Sequence, residues 1–166
     1  MASPNHSEES HQSRIDRLSK RILRISFKRR PATQAFQNGD EVEVASKEYG
    51  FIGSYYAATI VSPVGASHYR VKYKTLLTDD RSASLEETVN AFEVRPVPPE
   101  TMPENGGFRV YDIVDVFAND GWWFGFISGK IGEEYYVYFP TTADNIAYPA
   151  NVLRRHQEWS GRWILL

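Results

Sequence analysis

Apolar and polar positions alternate along most of the chain. Glu41-Val42-Glu43-Val44 alternates strictly, as does Tyr69-Arg70-Val71-Lys72-Tyr73, and Ile113-Val114-Asp115-Val116 does so in part. Successive side chains of an extended strand point to opposite faces, so a period of two buries one face and wets the other. β-branched and aromatic residues dominate these runs, and Gly50, Gly53, Gly65, Asp120-Gly121 and Gly132 interrupt them at hairpin positions. The pattern predicts short antiparallel strands joined by tight turns. One segment has a different period: Ile15, Leu18, Ile22 and Ile25 recur at spacings of three, four and three with Arg and Lys between them. That spacing predicts a short amphipathic basic helix. Residues 1–13 are too polar to bury anything and are expected to be disordered. Ser84-Leu85-Glu86-Glu87 has the form of a capping box, and reads either as the start of one helical turn or as an ordinary loop.

The strand pattern is a repeat. Phe36, Asp40, Val42, Glu43 and Val44 reappear 72 residues later as Phe108, Asp112, Val114, Asp115 and Val116. Tyr55-Tyr56 and Ile60 match Trp122-Trp123 and Ile127 at an offset of 67; Tyr69, Val71 and Tyr73 match Tyr135, Val137 and Phe139 at 66; Val94-Arg95 matches Leu153-Arg154 at 59. The offset only shrinks, so the first copy has the longer loops. Between the copies, Arg95 to Gly107 holds four of the nine prolines and reads as a stiff connector. This divides the chain into a leader (1–34), a first module (35–96), a Pro-rich linker (97–107) and a second module (108–166). Five strands in some sixty residues bury a core only by curling, so each copy is expected to be a small, bent, SH3-like antiparallel barrel. Such a unit is marginal alone. The two are expected to pack on each other, with Glu158 to Leu166 as a short helix or cap closing the interface.

Composition sharpens this picture. The 166 residues carry a net charge of −2 and contain no cysteine, which excludes a disulfide framework, thiolate metal sites and a cysteine nucleophile. The near-neutral total hides an asymmetry. Residues 1–34 hold eight Lys/Arg against three Asp/Glu, and the remainder holds eleven against eighteen, so a basic leader precedes an acidic body. Of the aromatic residues, Phe27 alone lies in the leader. Lys20-Arg21 and Lys28-Arg29-Arg30 read as a nuclear-import signal, as contacts to nucleic-acid phosphate, or as a solvated tail docked loosely on the acidic body. The acidic body attracts a basic partner and repels nucleic acid, at long range and subject to screening by salt. No apolar run approaches the roughly 18–20 residues that span a bilayer, and MASPNHSEES lacks the apolar stretch of a secretory leader. An intracellular protein without membrane contact is expected, and the Asn5-His6-Ser7 sequon then carries no meaning.

Catalytic chemistry finds little support. His6, His11, His68 and His156 lack metal-ligand spacing, and the adjacent pairs Glu86-Glu87 and Glu133-Glu134 diverge on an extended strand. No nucleophile elbow, P-loop or dinucleotide fingerprint is present, and Gly106-Gly107 reads as linker. The expectation is a non-enzymatic protein without cofactor or metal.

A set of collinear segments carries a resemblance. It comprises Phe36-x-x-Gly-Asp-x-Val-Glu-Val44, Gly50-Phe-Ile-Gly-Ser-Tyr-Tyr-Ala-Ala-Thr-Ile60, Tyr69-x-Val-x-Tyr73-x-x-Leu-Leu77 and Arg95-Pro-x-Pro-Pro99 in the first half. In the second half stand Val114-Asp-x-Phe117, Asp120-Gly-Trp-Trp-x-Gly125, Tyr136-Val-Tyr-Phe139 and Leu153-Arg-x-His-x-Glu-Trp159. Together they resemble the plant Agenet family, a branch of the Tudor-like royal barrels, in tandem form over residues 36–163. Tyr55 stands where the family often has Trp. The resemblance implies a chromatin- or transcription-associated nuclear protein. By the same resemblance, methylated lysine on the histone H3 tail, notably the silencing mark of heterochromatin, is the expected ligand, as for the best-understood tandem members of the family. By alignment to Tudor-like barrels, the first copy offers a cage of Tyr49, Tyr56 and Tyr73 with Asp79 or Asp80 as acid. The second offers Phe117, Trp123 and Phe139 with Asp144, while Trp122 and Tyr55 point oppositely, toward an inter-barrel interface or a peptide groove.

A competing reading makes these rings structural. Tyr56 shares a strand face with Ala58 and Ile60, and Trp123 with Gly125 and Ile127, so each aromatic also reads as the top layer of a core. Three functions therefore stand beside one another: a monomeric reader using the first barrel, an RNA- or DNA-associated module using the basic leader, and a protein–protein scaffold without a cage.

Overall fold

The computed structural model describes residues 10–26, 35–48, 50–101, 103 and 106–166. The sequon, the Lys28-Arg29-Arg30 cluster and Tyr49 lie outside the described residues. The first copy forms β1 (Glu41–Ala45), β2 (Ser54–Val64), β3 (His68–Leu77), β4 (Ser84–Asn90) and β5 (Val94–Pro96). The second forms β6 (Ile113–Ala118), β7 (Gly121–Ile131), β8 (Glu134–Phe139), β9 (Asp144–Pro149) and β10 (Leu153–Arg155). Strand order is the same in both, β5-β1-β2-β3-β4 and β10-β6-β7-β8-β9, with every pairing antiparallel.

The repeated residues have repeated jobs. Asp40 Oδ2 accepts the Gln37 N–H at 2.8 Å and its carbonyl accepts the Ile60 N–H at 2.9 Å. Asp112 does the same with Arg109, at 2.9 Å, and Ile127, at 2.9 Å. Each aspartate thus pins the turn that enters the barrel to its second strand. Both long strands carry a bulge at the same place in the repeat, Ile60/Ser62 in β2 and Ile127/Gly129 in β7, and the bulge lets one strand bend around the core. The inward positions of the alternation fill two cores, Val42, Val44, Ile60 and Val71 in one and Val114, Val116, Ile127 and Val137 in the other.

Two elements differ from expectation. Ser84 to Glu87 begins strand β4, because Leu85 and Val89 pack on the core while the backbone pairs with β3; Glu87 lies between them on the same strand face. A capping box does occur nearby, with Asn90 and Glu93 closing the short 3-10 turn Ala91–Glu93. The C-terminal segment is a hairpin of β11 (Gln157–Trp159) and β12 (Trp163–Leu165), not a helix. Trp159 faces Trp163 across it, with ring centroids 5.2 Å apart, an aromatic cross-strand pair.

The N-terminal segment is helical from His11 to Ser26 (α1), so residues 11–13 are ordered. Ser10 caps it by accepting the Ser13 N–H on its hydroxyl at 3.2 Å. Ile15 and Ile22 are buried against Ile113, Phe124 and Phe126 of the second barrel, which makes the docking an apolar seam rather than a loose electrostatic one. Arg14 lies over the Tyr111 ring at 4.6 Å, and His11 Nδ1 meets the Tyr111 hydroxyl at 2.6 Å.

The barrels join edge to edge through β2 and β7, where Ser54 pairs with Trp123 and Tyr55 with Trp122, giving one ten-stranded sheet. Two glycines permit the approach. A Cβ on Gly53 (φ +86°) would stand 1.9 Å from Phe124 Cε1, and one on Gly121 would stand 2.7 Å from Tyr56 Cε1. The alternation that fills the cores turns Glu43, Asp115, Arg95 and Arg154 outward, into the seam between barrels. There the Glu43 carboxylate accepts from Arg95 Nε and Nη2 (3.1 and 2.8 Å) and from Arg154 Nη1 and Nη2 (2.7 and 3.0 Å). Arg154 Nε donates to Asp115 at 2.9 Å. His156 bridges Asp115 (Nδ1, 2.5 Å) and Glu158 (Nε2, 2.6 Å), so both ring nitrogens donate and the imidazole is cationic. Three carboxylates thus face three cations. Tyr55 and Trp122 roof the network, Arg95 lying 3.4 Å from the Tyr55 centroid and Arg154 3.9 Å from that of Trp122. The hairpin closes the seam: Arg95 Nη1 donates to the Gln157 carbonyl at 2.9 Å, and Gln157 Nε2 donates to the Pro99 carbonyl at 2.9 Å.

Candidate functional site

The first barrel opens at one end into a cavity of about 320 Å³, between the β1–β2 loop and strands β2, β3 and β4. Tyr56 from β2 and Tyr73 from β3 form its floor, their rings nearly perpendicular (86°) with centroids 6.4 Å apart. At 8 % and 5 % exposure these rings are also the top layer of the core. The Tyr73 hydroxyl donates to Glu87 Oε2 at 2.7 Å, and burial raises the pKa of both phenols, so they remain neutral donors. Glu87 thereby joins Glu48 and Glu93 in the cavity lining. Lys47, the cation of the lining, is paired with Glu93. Phe51, 40 % exposed, closes the side nearest the second barrel. The lining is aromatic below and acidic above, which suits a cation with an apolar surface.

Asp79 and Asp80 do not reach this cavity. Asp80 Oδ1 accepts from the Thr78 hydroxyl (2.6 Å), the Ser82 hydroxyl (2.7 Å) and the Ser82 N–H (3.0 Å), bonds that hold its pKa down to about 2. The β3–β4 hairpin pairs as far as Leu77 with Ser84, so its turn lies beyond the cavity, and Glu87 is the β4 carboxylate that lines it.

The second barrel has a cavity of about 460 Å³ in the equivalent place, lined by Trp123, Phe139, Tyr148, Ile146 and Asp144 together with Phe51 of the first barrel. Phe139 and Tyr148 are perpendicular (84°, 6.0 Å), and Phe51 leans on Trp123 at 5.4 Å. Trp123 Nε1 donates to the Ala118 carbonyl at 2.7 Å. Trp123, Phe139 and Asp144 are therefore brought together in one lining. Phe117 and Trp122 are not: they pack on each other, 5.2 Å apart, on the other face of the β6–β7 pair, and Trp122 belongs to the inter-barrel seam.

Strand registers explain how the cavities differ. Val71 pairs with Glu87 and Tyr69 with Val89, whereas Val137 pairs with Ile146 and Tyr135 with Tyr148. The second barrel therefore has Ile146 where the first has Glu87, and Tyr148 where it has Val89. Glu87 and Tyr148 escaped sequence reading because β4 and β9 alternate weakly, and only their pairing with β3 and β8 shows which residues face in. Phe51 escaped because it lies on a turn, although the Gly50-Phe51-Ile52-Gly53 spacing marked a tightly held loop. A third hollow, about 640 Å³, runs along the linker between Pro98, Pro99, Phe108 and Trp122, with Glu41 and Glu43 on one side.

Comparison with known proteins agrees with this geometry. The Agenet domain signature matches residues 39–99. Protein AGENET DOMAIN (AGD)-CONTAINING P1 of Arabidopsis thaliana is 36% identical over 140 residues, 81% of this chain and 26% of that protein. DUF724 domain-containing protein 6 of the same plant is 35% identical over 136 residues, 79% of this chain and 19% of that protein. The chain thus spans about a quarter or less of the length of these relatives. Among solved structures, Arabidopsis thaliana AGDP1 AGD34 superposes with a TM-score of 0.74 at 30% identity, covering 92% of this chain and 97% of that one. The ADCP1 tandem Agenet domain 3-4 gives a TM-score of 0.70 at 27% identity, over 92% and 96%. Continuous pairing through both halves and two equivalent cavities extend the likeness beyond the matched segment, and the chain belongs to the Agenet family as a tandem pair of Tudor-like barrels.

Proposed function

We propose that the chain is a non-catalytic nuclear reader that binds a methylated lysine of the histone H3 tail in the cavity of the first barrel, acting in heterochromatin or transcriptional control. The observation that carries this reading is the joint presence of Tyr56, Tyr73 and Phe51 with Glu87, Glu48 and Glu93 around a space large enough for a methylated ammonium. Methylation removes donors and hydration from the ammonium but not its charge, so aromatic groups gain and a purely hydrogen-bonding site loses. A cation–π contact is worth about 0.5–2 kcal/mol depending on desolvation. The hydrogen bond from Tyr73 fixes Glu87 beforehand, so little is spent on ordering the acid when the ligand arrives. The acidic body suits a tail rich in Lys and Arg.

The test is calorimetric titration with H3 peptides bearing lysine unmodified or with one, two or three methyl groups. Affinity is expected to rise with methylation and to fall at least about tenfold in Glu87→Gln, the loss of one charge-assisted contact. Tyr56→Ala is the companion variant, with folding checked by circular dichroism because the ring is part of the core. Equal affinity for all four peptides would overturn the proposal.

A further inference from the structure

We propose that the cavity of the second barrel is a second receptor for a methylated ammonium, sharing the Phe51 wall with the first, so that one peptide carrying two methylated lysines is held at both. The bridging rests on the reading of the first cavity given above; the second receptor stands on its own residues. Its walls are Trp123, Phe139 and Tyr148, and Trp offers the strongest cation–π face of any side chain. Because Trp123 Nε1 is already satisfied by the Ala118 carbonyl, the indole has its π surface left to offer. Perpendicular packing of Phe139 and Tyr148 supplies two walls at a right angle. Among the described residues, Asp144 is the one charged side chain of the lining; burial, with a smaller contribution from Asp144, raises the pKa of the Tyr148 phenol. A carboxylate over aromatic groups, with no Lys or Arg to bind an anion, is complementary to a cation of large apolar surface.

Phe51 links the two cavities. It is 40 % exposed, lines both, and packs against Trp123. Its loop is pinned: Phe51 N–H donates to the Glu48 carbonyl at 2.9 Å, and the Phe51 carbonyl accepts the Ser54 N–H at 3.0 Å and the Ser54 hydroxyl at 2.5 Å. A fixed, exposed aromatic between two aromatic hollows is a preorganised wall whose apolar surface a ligand would cover. The first cavity, richer in carboxylates, suits the more highly hydrated ammonium, and the second, richer in aromatics, suits the fully methylated one.

The experiment is an NMR titration of the whole chain with acetyl-trimethyllysine amide, following the Trp123 indole N–H and the rings of Tyr56 and Tyr73. Acetyl-norleucine amide is the uncharged control. Two saturable sites are expected: Asp144→Asn weakens the response of the Trp123 indole N–H while the Tyr56 response persists, and Phe51→Ala weakens both. A peptide with two trimethyllysines is then expected to bind at least about tenfold more tightly than either singly modified peptide, an advantage that Asp144→Asn reduces. Shifts at Tyr56 without shifts at Trp123 overturn the inference and leave the first-cavity reading intact. Shifts at Trp123 alone overturn the first-cavity reading and the bridging, and support the second receptor. Equal response to norleucine shows an apolar slot and overturns it, and a doubly modified peptide that binds no more tightly overturns the bridging.

Discussion

Replacing Glu43 by Gln tests how the two barrels are held together. Glu43 is 2 % exposed and its carboxylate accepts four guanidinium N–H bonds, two from Arg95 and two from Arg154. With Asp115 and Glu158 it balances Arg95, Arg154 and His156, three charges of each sign. Gln has the same shape but no charge, and one of its two terminal groups is a donor facing a donor. The seam then holds an uncompensated cation, with Arg95 itself only 1 % exposed. Breaking a buried pair from one side costs about 3–5 kcal/mol, because the remaining charge stays desolvated. At about 2–4 °C per kcal/mol for a chain of this size, Tm falls on the order of 10 °C. Urea unfolding followed by tryptophan fluorescence measures the difference directly. The exposed Lys74–Glu41 pair is the internal control, and Lys74→Ala is expected to cost under about 1 kcal/mol. A Glu43→Gln loss as small as that of the control would refute the claim that the seam depends on its buried charges.

Other outcomes follow from the same geometry. Both carboxylates beside His156 raise its pKa to about 9 against an ordinary 6.5, despite opposition from burial. Its contribution is therefore complete below pH 6.5 and is lost as pH rises through about 9, so the stability gap between wild type and His156→Gln narrows by pH 10 in urea titrations. Asp115 works in the opposite sense. Held below the usual carboxylate range by His156 and Arg154 in spite of its burial, it stabilises at neutral pH and loses that contribution in acid. Gly53→Ala combines a φ of +86° with a Cβ 1.9 Å from the Phe124 ring, and is expected to lower stability by at least about 1–3 kcal/mol in thermal melts. Because Asp80 serves its own turn, Asp80→Asn is expected to leave peptide affinity within about twofold while Glu87→Gln lowers it, both measured by calorimetry.

What could be read from the chain depended on whether the signal was local. The duplication was legible because each repeated aspartate, valine and tyrosine does a job inside its own copy, as Asp40 and Asp112 show at the barrel entrance. The seam was half legible. Alternation turned Glu43, Asp115, Arg95 and Arg154 outward, which is right for each barrel alone, and only the partner barrel makes outward positions buried. Opposite charges at matching places of the repeat were the available hint. β4 was hidden because Ser84-Leu85-Glu86-Glu87 satisfies a helix-capping pattern locally, and pairing with β3 overrides it. The site followed the same rule. Tyr56 and Tyr73 fell on strands whose face was evident, whereas Glu87 needed the β3–β4 register and Phe51 needed the approach of the second barrel.

The most direct test of the account replaces the bound ammonium with carbon. An H3 peptide bearing trimethyllysine is compared by calorimetry with one bearing its neutral tert-butyl isostere, identical in shape but without the charge. A cavity that works through aromatic groups and the Glu87 carboxylate is expected to bind the charged peptide more tightly by about 1–2 kcal/mol, roughly five- to thirtyfold. Equal affinity for the two would show that the cavity is a hydrophobic slot and contradict the cation-reading account.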